Sequence, residues 1–437
     1  MTLIELLLVV FILVALAAAI IPAIRPAFAS RKTREAARQI NGYFVGAKAR
    51  AAAVGRPVGI WIERVVPGSG ASMNLFIAEQ PAPYAGDLDP ARAAVVDIQP
   101  RPQLPAPNGR RMTIWFVNST SMYSDDENLR LVNPGDQIIF GYGGLRYDIV
   151  RVGAVNQVIS FVELYLAPNV PIPPITPQIP YIDVNQPPSI LVSFNGINYN
   201  VPRGIEFFGA PFQIFRQPRK TNSRPLALPN GVVLDLTNSG FHLISPRIPN
   251  FSSLWNFSPQ NSRGPDNRWG VAGQDDDGNG VTDDPSESGW AGSDDIKDDD
   301  PVVIMFNPNG TIERVYWRHP YVDPIAAMQN NNPQVLPVFK GEHVTGSLYF
   351  LIGKADKMVN AGALPWSSID NRQYTFNENL LDSANLWVSV RVNTGNVITA
   401  ENIWERNGVN GPAYQFFLDQ FNACRQFARS GIGMGGR

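Results

Sequence analysis

Cysteine and histidine are nearly absent from this 437-residue chain, which holds one cysteine, Cys424, and three histidines, His242, His319 and His343. A lone cysteine excludes an intrachain disulfide and any multi-cysteine zinc site. Three scattered histidines leave little material for general-base chemistry. Charge is also scarce: Asp, Glu, Lys and Arg make up 17% of the chain, against roughly 25% in an ordinary soluble domain. No Lys/Arg cluster interleaves with aromatics, so nucleic acid is not an expected partner. Nothing resembling a catalytic constellation stands out. His319 and Asp323 straddle Pro320, GYGGLR (141–146) lacks the strand–loop–helix setting of a phosphate loop, and no HExxH or nucleophile elbow occurs. The chain reads as a non-enzyme.

What is abundant is punctuation. Pro (38) and Gly (37) are both frequent, and hydrophobic residues reach 44%. This points to a turn-rich body with a sizeable core. The formal net charge of −2 hides one local feature: residues 265–300 hold eleven Asp plus Glu287, against Arg268 and Lys297. Without that segment 34 basic and 26 acidic residues remain, a net of +8.

The first 24 residues, MTLIELLLVVFILVALAAAIIPAI, carry one charge, Glu5. As a helix this run is long enough to cross a ~30 Å hydrocarbon core, and it lacks the basic start of a cleavable secretory signal. A carboxylate at such a place either sits among headgroups at the helix start or neutralises a cation, for which the α-amino group of Met1 is the nearest candidate. Basic residues follow (Arg25, Arg31, Lys32, Arg34, Arg38), and Ile40, Phe44, Ala47, Ala51 and Val54 then recur at helical spacing. Gly55 and Pro57 stop the pattern, and Pro22 is expected to kink the helix or loosen its hydrogen bonding.

Thr2, Leu3, Glu5 and Pro22 in this setting resemble the N-terminal segment of type IV pilins and type II secretion pseudopilins, numbered as the processed protein, with Met1 where the family usually has an N-methylated Phe. AARQINGYFVGAKARAAAVGRPVGIWIE (36–63) resembles the H-type minor pseudopilins. VVIMFNPNGTIERVYW (302–317) and NLWVSVRVNTGNVITAENI (385–403) resemble their closing strands more loosely. The resemblance implies assembly through Met1, Glu5 and Pro22 into a helical filament with copies of itself or other pilins. It further implies a single-pass inner-membrane location before assembly, a cell-surface or extracellular location afterwards, and processing by a prepilin peptidase and assembly machinery. The alternatives are a non-polymerising membrane-tethered binding or adhesive protein, and a minor tip subunit that initiates a filament.

Beyond Gly55 the period switches from 3.6 to 2, and the expected fold class is α+β. A long N-terminal helix, half membrane-compatible and half amphipathic, would pack on a largely antiparallel β body with large insertions. Expected divisions are the assembly helix (1–55), a first β subdomain (56–165), a Pro-rich connector (166–188), a second β subdomain (189–404) and a C-terminal helix with a Gly-rich tail (405–437). Expected strands include Val58–Ile62, Gln137–Phe140, Val302–Phe306 and Ile312–Trp317, the last two flanking a hairpin signal at Asn309-Gly310.

The acidic segment holds one ordered motif. Asp275, Asp277 and Asn279 alternate ahead of Gly280, the opening of a calcium loop. The Val281 carbonyl, with Asp283 or Glu287, would complete a Ca²⁺ site. No bidentate acid stands at the twelfth place and Pro285 blocks a following helix, so the loop would lie outside an EF-hand fold.

Overall fold

In the computed structural model the described residues are 3–65, 70–89, 91–99, 110–117, 119–124, 130–141, 143–154, 160–166, 189–194, 197–202, 210–242, 254–257, 301–322, 335–344, 346–358, 379–403 and 423–430. The chain opens with helix α1 (Leu3–Val54). Twenty strands follow: β1 (Val58–Arg64), β2 (Ala71–Glu79), β3 (Arg92–Gln99), β4 (Arg110–Val117), β5 (Gln137–Phe140), β6 (Tyr147–Ala154), β7 (Ser160–Leu166), β8 (Ser189–Phe194), β9 (Ile197–Pro202), β10 (Phe212–Phe215), β11 (Arg219–Lys220), β12 (Leu226–Ala227), β13 (Val232–His242), β14 (Leu254–Asn256), β15 (Val302–Phe306), β16 (Ile312–Val322), β17 (Val335–Glu342), β18 (Leu348–Lys354), β19 (Leu386–Val390) and β20 (Val397–Glu401). A second helix, α2, covers 423–430.

The α+β expectation needs correction. Among the described residues strand takes 45% and helix 24%, so the class is mainly β. The reason is local: past Gly55 the apolar residues alternate rather than recur at 3.6, and Pro and Gly stop each run before a helical turn can close. The ladders are antiparallel throughout the described pairings, as short connections allow.

The large sheet runs β17-β16-β15-β1-β2-β13-β18-β19-β20, with β11, β12 and β14 attached off that path. Successive side chains of a strand face opposite sides. Phe350, Ile352, Leu386 and Val388 therefore pack toward α1 in one core, while Tyr349, Leu351 and Trp387 pack with Cys424 and Ala428 of α2 in another. Arg425 is fully buried on that second side, donating from Nη2 to the Asn238 carbonyl at 3.0 Å and lying over the rings of Tyr349 and Trp387.

The smaller sheet runs β10-β5-β6-β7-β4-β3. Its two edges meet: Ala93 in β3 exchanges both backbone hydrogen bonds with Ala210, two residues before β10, each at 2.9 Å. The sheet therefore closes on itself around Met112, Ile114, Phe116, Ile138, Val162, Leu164 and Ile214, which hides its edges. This barrel is built from residues between β2 and β11, so the boundary between sheets falls elsewhere than the expected division at 166–188. β1 and β2 belong to the large sheet and β10 to the barrel.

Barrel and large sheet meet at one polar seam. Gln217 donates its side-chain amide to the carbonyls of Pro134 (2.7 Å) and Phe339 (2.6 Å). Gly135 sits at φ +93°, where a Cβ would lie 2.0 Å from the Phe339 carbonyl oxygen, so only glycine fits. Asp136 is buried there and accepts hydrogen bonds from the backbone N–H of Asn133 and of Gln217, both at 2.8 Å. Burial pushes its carboxyl up to about 7, against the pull of those two N–H groups and of Arg216 and Arg219.

Candidate functional site

The most unusual surface among the described residues is the first quarter of α1. Leu3, Ile4 and Leu6 through Val14 are apolar, and each is at least 47% exposed. They cover every side of the helix rather than one stripe. A water-facing helix of this length needs a polar face, and the described side chains of 3–14 provide none.

The same helix changes character after residue 30. Thr33, Ala36, Ala37, Ile40, Phe44, Ala47 and Ala51 are buried at helical spacing against the large sheet. Small residues let the backbone approach closely, and Phe44 is the one large plug. Its ring meets Phe306 edge-on at 6.3 Å and Phe350 at 5.6 Å. The sequence placed Val54 on this face, but it is 45% exposed. The helix ends there: Gly55 turns at φ +71° with its N–H bonded to the Ala51 carbonyl at 3.0 Å, so the chain leaves before another step of the stripe meets the sheet. Thr33, Ala36 and Ala37 extend the stripe the other way, and their spacing was a signal the sequence already carried.

Polar contacts fix how this half sits. Glu79 at the end of β2 accepts from Arg50 at 2.6 Å and Arg56 at 2.8 Å, one on α1 and one just beyond it. Lys32 donates to the Asn230 carbonyl at 3.2 Å. On the outer side Arg38 and Glu35 pair at 2.9 Å, and the Arg38 hydrogen bonds hold the Glu35 carboxyl below its usual range. No sequence signal marks Glu79 as the acceptor, because its partners lie on a different element. Between the two halves of α1, the side chains of 15–29 lie outside the described residues.

The residues expected to act are distributed as follows. Met1 lies outside the described residues, and Glu5 and Pro22 lie on α1 with side chains outside them. The calcium-loop positions Asp275, Asp277, Asn279, Val281, Asp283 and Glu287 all lie outside the described residues. Among the described residues no group of three or more His, Cys, Asp or Glu is placed to hold a metal ion. Among them, too, no helix is long and apolar enough to cross a membrane. Residues 3–14 alone would span about 18 Å at 1.5 Å per residue, short of a ~30 Å hydrocarbon core.

No family model, curated protein or solved structure matches this chain.

Proposed function

We propose that the chain is a structural subunit of a type IV pilus-like filament, a pilin or pseudopilin, that assembles through the first part of α1. One observation carries the reading. A single helix is buried against the sheet from Thr33 to Ala51, and from Leu3 to Val14 every residue but Glu5 is apolar and exposed. The packed half holds the body in fixed relation to the projecting half, so many copies can stack their projecting helices while the β bodies stay outside. The sequence stays apolar as far as Ile24, and a helix over 3–24 would be about 33 Å long, enough to rest in a bilayer before assembly. Within such a bundle Glu5 pairs with the α-amino group of Met1 of a neighbouring copy, since an isolated carboxylate in that setting is costly.

Glu5→Ala in the full-length chain tests this. Membrane insertion should persist, because the variant is more apolar. Incorporation into sheared surface filaments, followed by immunoblot and electron microscopy, should fall sharply. Undiminished incorporation of Glu5→Ala would overturn the proposal.

A further inference from the structure

A cleft lies at the seam between barrel and large sheet, and no residue of α1 lines it. Arg146, Phe215, Gln217, Arg314, Tyr316 and Gly341 line it. Its empty space is about 250 Å³ including the part open to solvent, while the enclosed end has room for about one water. That suits one small head group with a single atom at the floor and excludes anything as large as a nucleotide.

The cleft's chemistry is cationic. Arg146 ends the glycine-rich 141–146 turn, and its guanidinium lies 3.9 Å from the centre of the Phe215 ring. Arg314, on β16, donates from Nη1 to the Gly341 carbonyl at 2.9 Å, and its other N–H groups have no acceptor among the described residues. Neither forms an ion pair among the described residues. Gln217 is tied down by its two carbonyl acceptors, so the floor is rigid. Gly341 leaves room for Tyr316, whose ring a Cβ would approach to 2.6 Å.

We propose that this cleft binds one oxyanion, a carboxylate or phosphate group, between the guanidinium groups of Arg146 and Arg314. Planar guanidinium forks match the paired oxygens of such a group and are less costly to desolvate than ammonium groups. The carboxyls whose charge reaches the cleft are Glu313 and Asp136, and neither forms an ion pair with Arg146 or Arg314 among the described residues. Glu313 is half-buried, and its Oε2 has no hydrogen-bond partner among the described residues. Burial pushes Glu313 upward against the pull of Arg314, Arg146 and His343. Asp136, behind the seam, is likewise pushed up by burial.

The test uses the full-length chain in non-ionic detergent. Inorganic phosphate and, separately, acetate are titrated calorimetrically against chloride at matched ionic strength. Saturable binding of either anion is expected; tighter phosphate binding would indicate a phosphate source, and comparable acetate binding a carboxylate source. Losing one guanidinium removes charge-assisted hydrogen bonds, so Arg146→Gln should weaken binding about tenfold or more. Arg224→Gln, an exposed site away from the cleft, should leave it unchanged. Arg314→Gln should weaken it too, but that variant also gives up the bond to Gly341. Arg146 makes no such backbone contact among the described residues, so Arg146→Gln decides the matter. No saturable heat with either anion at tens of millimolar, or unaltered binding in Arg146→Gln, would overturn the proposal.

Discussion

Lys48 Nζ, on α1, donates to the Thr394 carbonyl at 2.6 Å across 346 positions of sequence. Two tight turns converge on that one side chain. Gly310 sits at φ +86° in the turn between β15 and β16, and Gly395 at φ +59° in the turn between β19 and β20. A Cβ on Gly395 would stand 2.0 Å from the Gly310 carbonyl oxygen. The helix and both hairpins are thus fastened at a single point where no side chain but the lysine stem fits.

Gly395→Ala is therefore expected to destabilise the body, by about 1–3 kcal/mol from left-handed backbone strain alone and by more once the contact with Gly310 is relieved. Gly231, at φ +84° with nothing within 4 Å of an added Cβ, is the matched control. Gly231→Ala should cost only the strain. Chemical denaturation of both variants reads the difference, and equal losses would mean that the turns do not touch in solution.

Phe44→Ala should cost about 3–5 kcal/mol, the range for emptying a fully buried aromatic site. Val54→Ala, on the same helix but 45% exposed, should change stability by no more than about 0.5 kcal/mol. Melting curves of a body cut near Ser30 would report both. Similar shifts for the two would place the helix on the sheet in a different rotation.

How far these features could be read in advance follows from the range of the forces that set them. The stripe of Ile40, Phe44, Ala47 and Ala51 was legible because helical period is local, and β5 and β15 matched their expected bounds residue for residue. β2, reading ASMNLFIAE, escaped notice because Ala, Ser and Asn are poor strand formers. Its place is set by β1 and β13 on either side. β17 contains Pro337, which argues against a strand, yet β17 ends the sheet order, where a missing N–H is tolerated. The α+β expectation gave weight to the one helical period sustained as far as Val54, whereas the described strands are short and add up to the larger share only when counted together. Barrel closure depends on Ala93 meeting Ala210, which no local pattern announces. The cleft joins Arg146 to Arg314 across two sheets, so neither arginine stood out alone.

Asp136 should make the seam pH-dependent. Its folded-state pKa of about 7 lies above the ordinary 3.8. An acid raised in this way binds protons more tightly folded than unfolded. Its contribution to stability is full below about pH 3.8, falls as pH rises, and is lost above about pH 7. The change is on the order of 4 kcal/mol at 1.36 kcal/mol per pKa unit. Asp136→Asn removes the titration. Relative to the parent chain it should be most destabilising near pH 4 and progressively less so toward pH 8. Urea denaturation of both proteins at several pH values measures this, and a difference that does not vary with pH would refute it.

The apolar part of α1 should govern association and leave the body's stability untouched. Leu3, Ile4 and Leu6 through Val14 make no core contact with the body, whereas Thr33 to Ala51 supply the packing. Each large apolar side chain left in water forgoes about 1.5–3 kcal/mol of burial, so a full-length chain freed of detergent gains greatly by covering them with other copies. Removing residues 1–29 deletes that drive and keeps the packed stripe. The shortened chain should sediment as a monomer without detergent and unfold at the same temperature as the full-length chain in mild detergent. The full-length chain should form large assemblies once detergent is diluted below its micelle threshold. A monomeric full-length chain under those conditions would mean that the apolar residues are covered by the chain itself. A shortened chain that melts far lower would mean that the first part of α1 supports the body.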